Sequence, residues 1–192
     1  MTAKAADKVY YKDTETLPYT LQASLDNEVE IRAYPKAMAV MSKGGSETGA
    51  FRLLFNYISG DNKSGSEIAM TSPVEVGNNT KEGTKISMTS PVEMSPSKGM
   101  MFFLPNQYNE SNAPVPTHQN VSLVTIEPRT VAAISYSGFD SDEKRAEFSS
   151  KLQQTLLKNN YTIKGEPSYL GYDSPFTLPW NKRHEIIIPV AQ

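Results

Sequence analysis

Glu28-Val-Glu-Ile-Arg-Ala-Tyr34, followed after Pro35 and Lys36 by Ala37-Met-Ala-Val-Met41, opens a pattern that the chain runs through twice. In the first run Val29, Ile31 and Ala33 fall on one face and Glu30, Arg32 and Tyr34 on the other, the two-residue period of a half-buried strand. Pro35 has no N–H to offer a ladder and ends it. The second run is almost wholly apolar and reads as another strand. Gly44-Gly45 then breaks the chain and Ser46 supplies a helix N-cap. Phe51, Leu54, Phe55 and Ile58 recur at i, i+3, i+4 and i+7, with Ala50, Leu53 and Tyr57 widening the stripe. The spacing predicts an amphipathic helix whose polar side is Arg52, Asn56 and Ser59.

The second half follows the same plan. Residues 121–127 read as a strand, Pro128 as a break, 131–136 as an apolar strand and Gly138 as the interruption before a helix. Asp140 and Glu143 stand at the spacing of a capping box, and Phe148, Leu152, Leu156 and Leu157 form the stripe. Further strands are expected at 68–70, 86–88 and 100–104 in the first half, and at 168–172 and 185–190 in the second. The order predicts an α+β fold of two pseudo-symmetric ββαββ halves, their sheets joined around one core with a helix on each flank. Residues 1–16, polar and aperiodic, read as a flexible tail, leaving 17–192 as a single domain.

Composition narrows the function classes. The 192 residues include no cysteine, which removes disulfide scaffolds, thiolate metal sites and cysteine nucleophiles. A net charge of −2 gives no basic footprint, so no nucleic-acid partner is expected. No apolar run approaches the roughly 20 residues of a membrane span, and no secretory profile opens the chain, so a cytoplasmic protein is expected. His118 and His184 are the whole imidazole supply, too few for a site with several histidine ligands. No GxSxG elbow, GxGxxG turn or P-loop is present.

A shorter and closer repeat lies inside the first half. Ile68-Ala-Met-Thr-Ser-Pro-Val-Glu75 recurs as Ile86-Ser-Met-Thr-Ser-Pro-Val-Glu93, differing only at Ala69 against Ser87. It reads as a pair of strand ends, with Pro73 and Pro91 turning the chain and Glu75 and Glu93 at exposed ends. The two carboxylates also invite a general acid/base reading. Met70, Met88, Met94, Met100 and Met101 crowd the same region, as core filling or as the lining of a pocket for a soft, flat ligand. The loop 106–120, with Pro114 and Pro116, is long enough to be either functional or mobile. Near the end, Gly171-Tyr-Asp-Ser-Pro-Phe-Thr-Leu-Pro-Trp180 sets an aromatic loop beside Lys182-Arg183. That combination suits a planar ligand carrying carboxylates, or equally a loop packed by its own Trp beside a surface charge pair.

The twin Met-Thr-Ser-Pro-Val motifs at 70–74 and 88–92, the early Val29-Glu-Ile-Arg-Ala-Tyr34 and the closing Gly171-Tyr-Asp-Ser-Pro-Phe with Lys182-Arg183 together resemble the SOUL haem-binding protein family, over roughly residues 19–190. The resemblance implies a distorted antiparallel β-barrel with two flanking helices, of a kind similar to GyrI-like domains. It further implies a non-catalytic carrier or sequestering module for haem, another tetrapyrrole or a flat hydrophobic small molecule, held in a shallow apolar groove by the first helix. A histidine proposed as axial ligand in part of the family falls where this chain has Ala33. Carried onto this sequence, the groove residues are Phe51, Phe55 and Met88 for packing and Arg52, Lys182 and Arg183 for acid groups, with His184 as a different axial candidate. Two alternatives stand beside this reading: a GyrI-like small-molecule hydrolase using Glu75, Glu93 or Glu185, and an interaction protein using the proline-bearing loop.

Overall fold

A computed structural model describes residues 9–43, 45–63, 83–174 and 176–191. The first copy of the doubled motif, with Met70 and Glu75 and the strand expected at 68–70, lies outside them. In chain order the elements are β1 (Val9–Tyr11), β2 (Thr14–Thr16), β3 (Thr20–Leu25), β4 (Val29–Tyr34), β5 (Ala37–Ser42), α1 (Glu47–Ile58), β6 (Asn62–Lys63), β7 (Val92–Ser95), β8 (Gly99–Phe103), β9 (Val115–Pro116), β10 (Val121–Ile126), β11 (Arg129–Ser137), α2 (Asp142–Lys158), β12 (Thr162–Ile163), β13 (Ser168–Gly171) and β14 (Arg183–Ala191).

The large sheet is antiparallel, in the order β10-β5-β8-β7-β13-β14-β11-β4-β3, with β12 also on β14. Leaving out β3, that order maps onto itself when β4, β5, α1, β7 and β8 are exchanged for β10, β11, α2, β13 and β14. The pseudo-twofold therefore passes between β7 and β13, where Tyr169 pairs with Met94 and Leu170 with Glu93. Each half lends its first strand to the other: β4 pairs with β11, and β10 with β5. The duplicated plan is present, with this exchange added to it.

Alternation along the strands makes three cores. On β5 and β8, Met38, Val40, Met100 and Phe102 face α1 and bury Leu54 and Tyr57. On β11 and β14, Ala132, Ile134, Ile186 and Ile188 face α2 and bury Leu152 and Leu156. The opposite faces of the same strands, with Ala39, Met101, Val131 and Ile187 among them, meet each other between the two halves. The interior is packed with side chains.

Against expectation, the sheet does not close into a barrel. The second edge of β4 is occupied by β3, a strand that its sequence does not announce, which pairs Thr20 with Ala33 and Leu25 with Val29. Pro35 and Pro128 stand in the two-residue links between β4 and β5 and between β10 and β11, where neither has an N–H to continue a ladder. Residues 9–16, read as part of a tail, pair as the hairpin β1–β2, and Ser90 N–H donates to Glu15 O at 2.9 Å. The strand expected at 86–88 is irregular backbone, with strand pairing resuming at β7, after a cis Ser90–Pro91 bond. The loop 106–120 is tied to α1 through β6–β9 pairing and the Tyr57 hydroxyl, which donates to Pro114 O at 2.7 Å.

Candidate functional site

Both helices start at side-chain caps. Ser46 Oγ accepts from Gly49 N–H at 3.2 Å, as its position predicts. For α2 the cap is Ser141, whose Oγ accepts from Lys144 N–H at 3.2 Å, rather than Asp140. Asp140 is instead bound by Arg145, with Nε donating to Oδ2 at 2.9 Å, and accepts from the Tyr136 hydroxyl at 2.8 Å. The N-terminal half of each helix borders the pseudo-twofold, α1 with Ser46, Glu47 and Ala50 and α2 with Arg145, Ala146 and Ser149. Between them opens a cleft of about 600 Å³, floored by Met94, Met100, Tyr169 and Ile186 and rimmed by Lys43, Lys98 and Arg145. Arg145 lies 4.0 Å from the Tyr169 ring centre and 3.5 Å from Glu47, so it ties the two helices together. Of the crowded methionines, Met94 and Met100 thus line a pocket, Met101 fills the inner core and Met88 is 40% exposed.

The inner face between the halves is ionic as well as apolar. Arg32 is 2% exposed, although alternation placed it on a polar strand face. It donates to Glu185 through Nη1 at 2.8 Å and Nη2 at 3.1 Å, and to Glu30 through Nε at 2.7 Å. Glu185 also accepts from Arg183 Nε at 3.0 Å, Ser135 Oγ at 2.9 Å and the Tyr172 hydroxyl at 2.8 Å. Burial pushes the Glu185 carboxyl up, but the hydrogen bonds and charge of Arg32 and then Arg183 outweigh it and hold the group below the ordinary carboxylate range. A carboxylate kept ionised in this way is the opposite of a poised general acid. Glu93, expected at an exposed strand end, is 1% exposed and accepts from Arg129 Nη1 at 3.2 Å. The hairpin β1–β2 closes over one end of this layer, with Tyr11 edge-on to Tyr172 at 5.3 Å and Lys12 paired with Asp173.

The site residues expected from the sequence fall into three settings. Phe51, Arg52 and Phe55 share α1: the two rings stack at 6.1 Å and 14°, Phe51 also packs on Phe102, and Phe55 is 47% exposed. Met88 follows two residues after Ile86, whose N–H donates to Ile58 O at the end of α1. Arg183 turns inward to Glu185, and Lys182 lies in the loop before it. His184 points to the opposite face, between the Tyr136 and Tyr169 rings, with Nδ1 2.7 Å from the Tyr169 hydroxyl and Nε2 3.1 Å from Gly138 O. Burial lowers its pKa, with the Gly138 carbonyl and Asp140 opposing. Trp180, offered as the packing of its own loop, is exposed. Among the described residues no group of three or more His, Asp or Glu side chains is placed to hold a metal ion, and no helix is long and apolar enough to cross a membrane.

Comparison with known proteins adds a family to this geometry. The family described as SOUL heme-binding protein matches residues 14–189. The chain is 25% identical over 141 residues to heme-binding protein 1 of Xenopus laevis, covering 73% of this chain and 68% of that protein. In fold it is similar to a hydrolase from Listeria innocua, at a TM-score of 0.53 and 11% identity over 88% of this chain and 94% of that one. It is also similar to EcmrR in its DNA complex, at a TM-score of 0.52 and 14% identity over 85% of this chain and 57% of that one. Both likenesses concern the fold alone.

Proposed function

The chain belongs to the SOUL heme-binding protein family, and from that premise we propose that it is a non-catalytic tetrapyrrole-binding module, holding a flat apolar ring with acid groups against the outer face of α1. The observation that carries this reading is the stacked Phe51–Phe55 pair, half-exposed at Phe55, with Arg52 exposed on the turn between them. Phe55 and the outer side of Phe51 present a continuous aromatic surface beside a cation, which a flat ligand can cover. A porphyrin-like ring would gain apolar burial and ring contact there, and Arg52 would give its carboxylates a charged partner. Met88, close after Ile86 at the end of α1, extends the set on the same family resemblance.

The residues present fit such a ring by packing and charge more than by coordination. Both nitrogens of His184 are already within hydrogen-bonding distance of protein oxygens, and it lies on the α2 side of the sheet. A bound haem supplies a visible chromophore and a redox-active iron. This chain's own residues supply the apolar face and the counter-charge.

Haemin titration followed at the Soret band tests the reading. Saturable one-to-one binding is expected, weakened about tenfold or more in Arg52→Glu with Phe55→Asp, since a charged hydrogen bond and apolar burial are both lost. No saturable shift, or equal affinity in the double variant with unchanged circular dichroism, overturns it.

A further inference from the structure

We propose that the cleft on the pseudo-twofold, between the N-terminal halves of α1 and α2, is a second binding site, separate from the outer face of α1, and that it takes an amphipathic organic anion. Its volume of about 600 Å³ lies within the range of small-molecule sites. The floor of Met94, Met100, Tyr169 and Ile186 is apolar and, through the thioethers, adaptable in shape.

The rim has a surplus of positive charge. Arg145 is answered by Asp140 and Glu47, whereas Lys43 and Lys98 enter no ion pair among the described residues. The start of α1, whose cap residue Ser46 lines the cleft, adds the positive end of its dipole to the same space.

A separate observation points to a missing polar partner. Ser42 lines the cleft and is 1% exposed, yet its hydroxyl has no hydrogen-bond partner among the described residues. A buried hydroxyl without a partner is costly, and an acid oxygen entering between Lys43 and Lys98 would supply one. The hairpin turn holding Lys98 is pressed close to this residue. Gly99 has φ +86°, and a Cβ there would lie 2.5 Å from Ser42 O. The ligand chemistry is thus an apolar body long or flat enough to cover Met94 and Tyr169, ending in a carboxylate, sulfonate or phosphate.

Anilinonaphthalene sulfonate, a flat apolar sulfonate, is the probe for the test, titrated into the full chain by fluorescence. One saturable site is expected, weakened about tenfold or more in Lys43→Glu with Lys98→Glu and blocked in Ser97→Trp, where a bulky ring is added at the exposed turn on the rim. Lys164→Glu, a charge reversal away from the cleft, should bind as the native chain does. Circular dichroism on each variant separates lost binding from lost folding. No saturable site, or native affinity in both the double charge reversal and Ser97→Trp, overturns the proposal. Haemin added at probe saturation should bind without displacing the probe. One-for-one displacement would mean a single shared site and would overturn the separate cleft site, while tetrapyrrole binding itself would stand.

Discussion

Arg32 and Glu185 meet in two near-parallel hydrogen bonds of 2.8 and 3.1 Å across the inner layer of the molecule, although 153 positions separate them in the chain. One comes from the strand that the first half lends to the second, the other from the last strand. Their pairing therefore forms only when the two halves have exchanged strands. Arg32→Met takes two charged hydrogen bonds from a buried carboxylate that keeps Arg183 as its remaining cation, and is expected to cost about 3 kcal/mol. Arg32→Met with Glu185→Gln should recover part of that loss, because the neutral amide leaves no buried anion and keeps an acceptor oxygen for Arg183 and the Tyr172 hydroxyl. Urea denaturation of the two variants checks this, and a double variant less stable than Arg32→Met would contradict it.

The His184 ring predicts an acid-sensitive step. Its folded pKa lies below the ordinary histidine value, because burial disfavours the imidazolium. The unfolded chain then binds the proton more readily, so this group's contribution is present above about pH 6.5 and is lost as the pH falls from there toward the folded pKa. Unfolding midpoints between pH 5 and 7.5 should drop more steeply for the native chain than for His184→Gln. Parallel curves would show that the ring does not titrate on unfolding.

Ser42 offers a gain instead of a loss. Its buried hydroxyl is unpartnered among the described residues, so Ser42→Ala should raise the stability of the unliganded protein by about 1 kcal/mol, at the low end of the cost of an unmet polar group. A lower melting temperature in the variant would mean that the hydroxyl is satisfied in solution.

Gly99 opens β8 directly after the turn of the central hairpin. With φ +86° and no room for a Cβ beside Ser42 O, Gly99→Ala is expected to cost about 1–3 kcal/mol through backbone strain, with a further cost if the β7–β8 hairpin shifts. Thermal unfolding reads this directly, and a change under 0.5 kcal/mol would place the strain elsewhere.

Much of the local structure was legible because it depends on neighbours in the chain. The stripe from Ala50 to Ile58, the cap at Ser46, the alternation from Val29 and the apolar run from Ala37 all correspond to elements of the fold. The cap of α2 was read one residue early, because Asp140 and Ser141 are both good caps and only the position of Arg145 decides between them. The third strand stayed hidden. Residues 20–25 are mostly exposed and carry little apolar periodicity, and they become a strand by pairing with β4.

The site was less legible. Met94 and Met100 could be singled out as pocket lining or core, but Lys43, Lys98 and Arg145 are ordinary surface cations in the sequence, and they share a rim only across the pseudo-twofold. Glu93 looked like an exposed strand end because its partner, Arg129, lies 36 positions away.

What this sequence determined by itself was the order and type of most elements, the doubled plan and the family motifs, since periodicity, caps and turns are properties of residues a few positions apart. Long-range packing alone set the strand exchange, the sheet left open where a barrel was expected, the inward turn of Arg32 and Glu185, and the cleft between the two helices. Those depend on which distant faces come to share a low-dielectric interior, where an unpaired charge is too costly to leave.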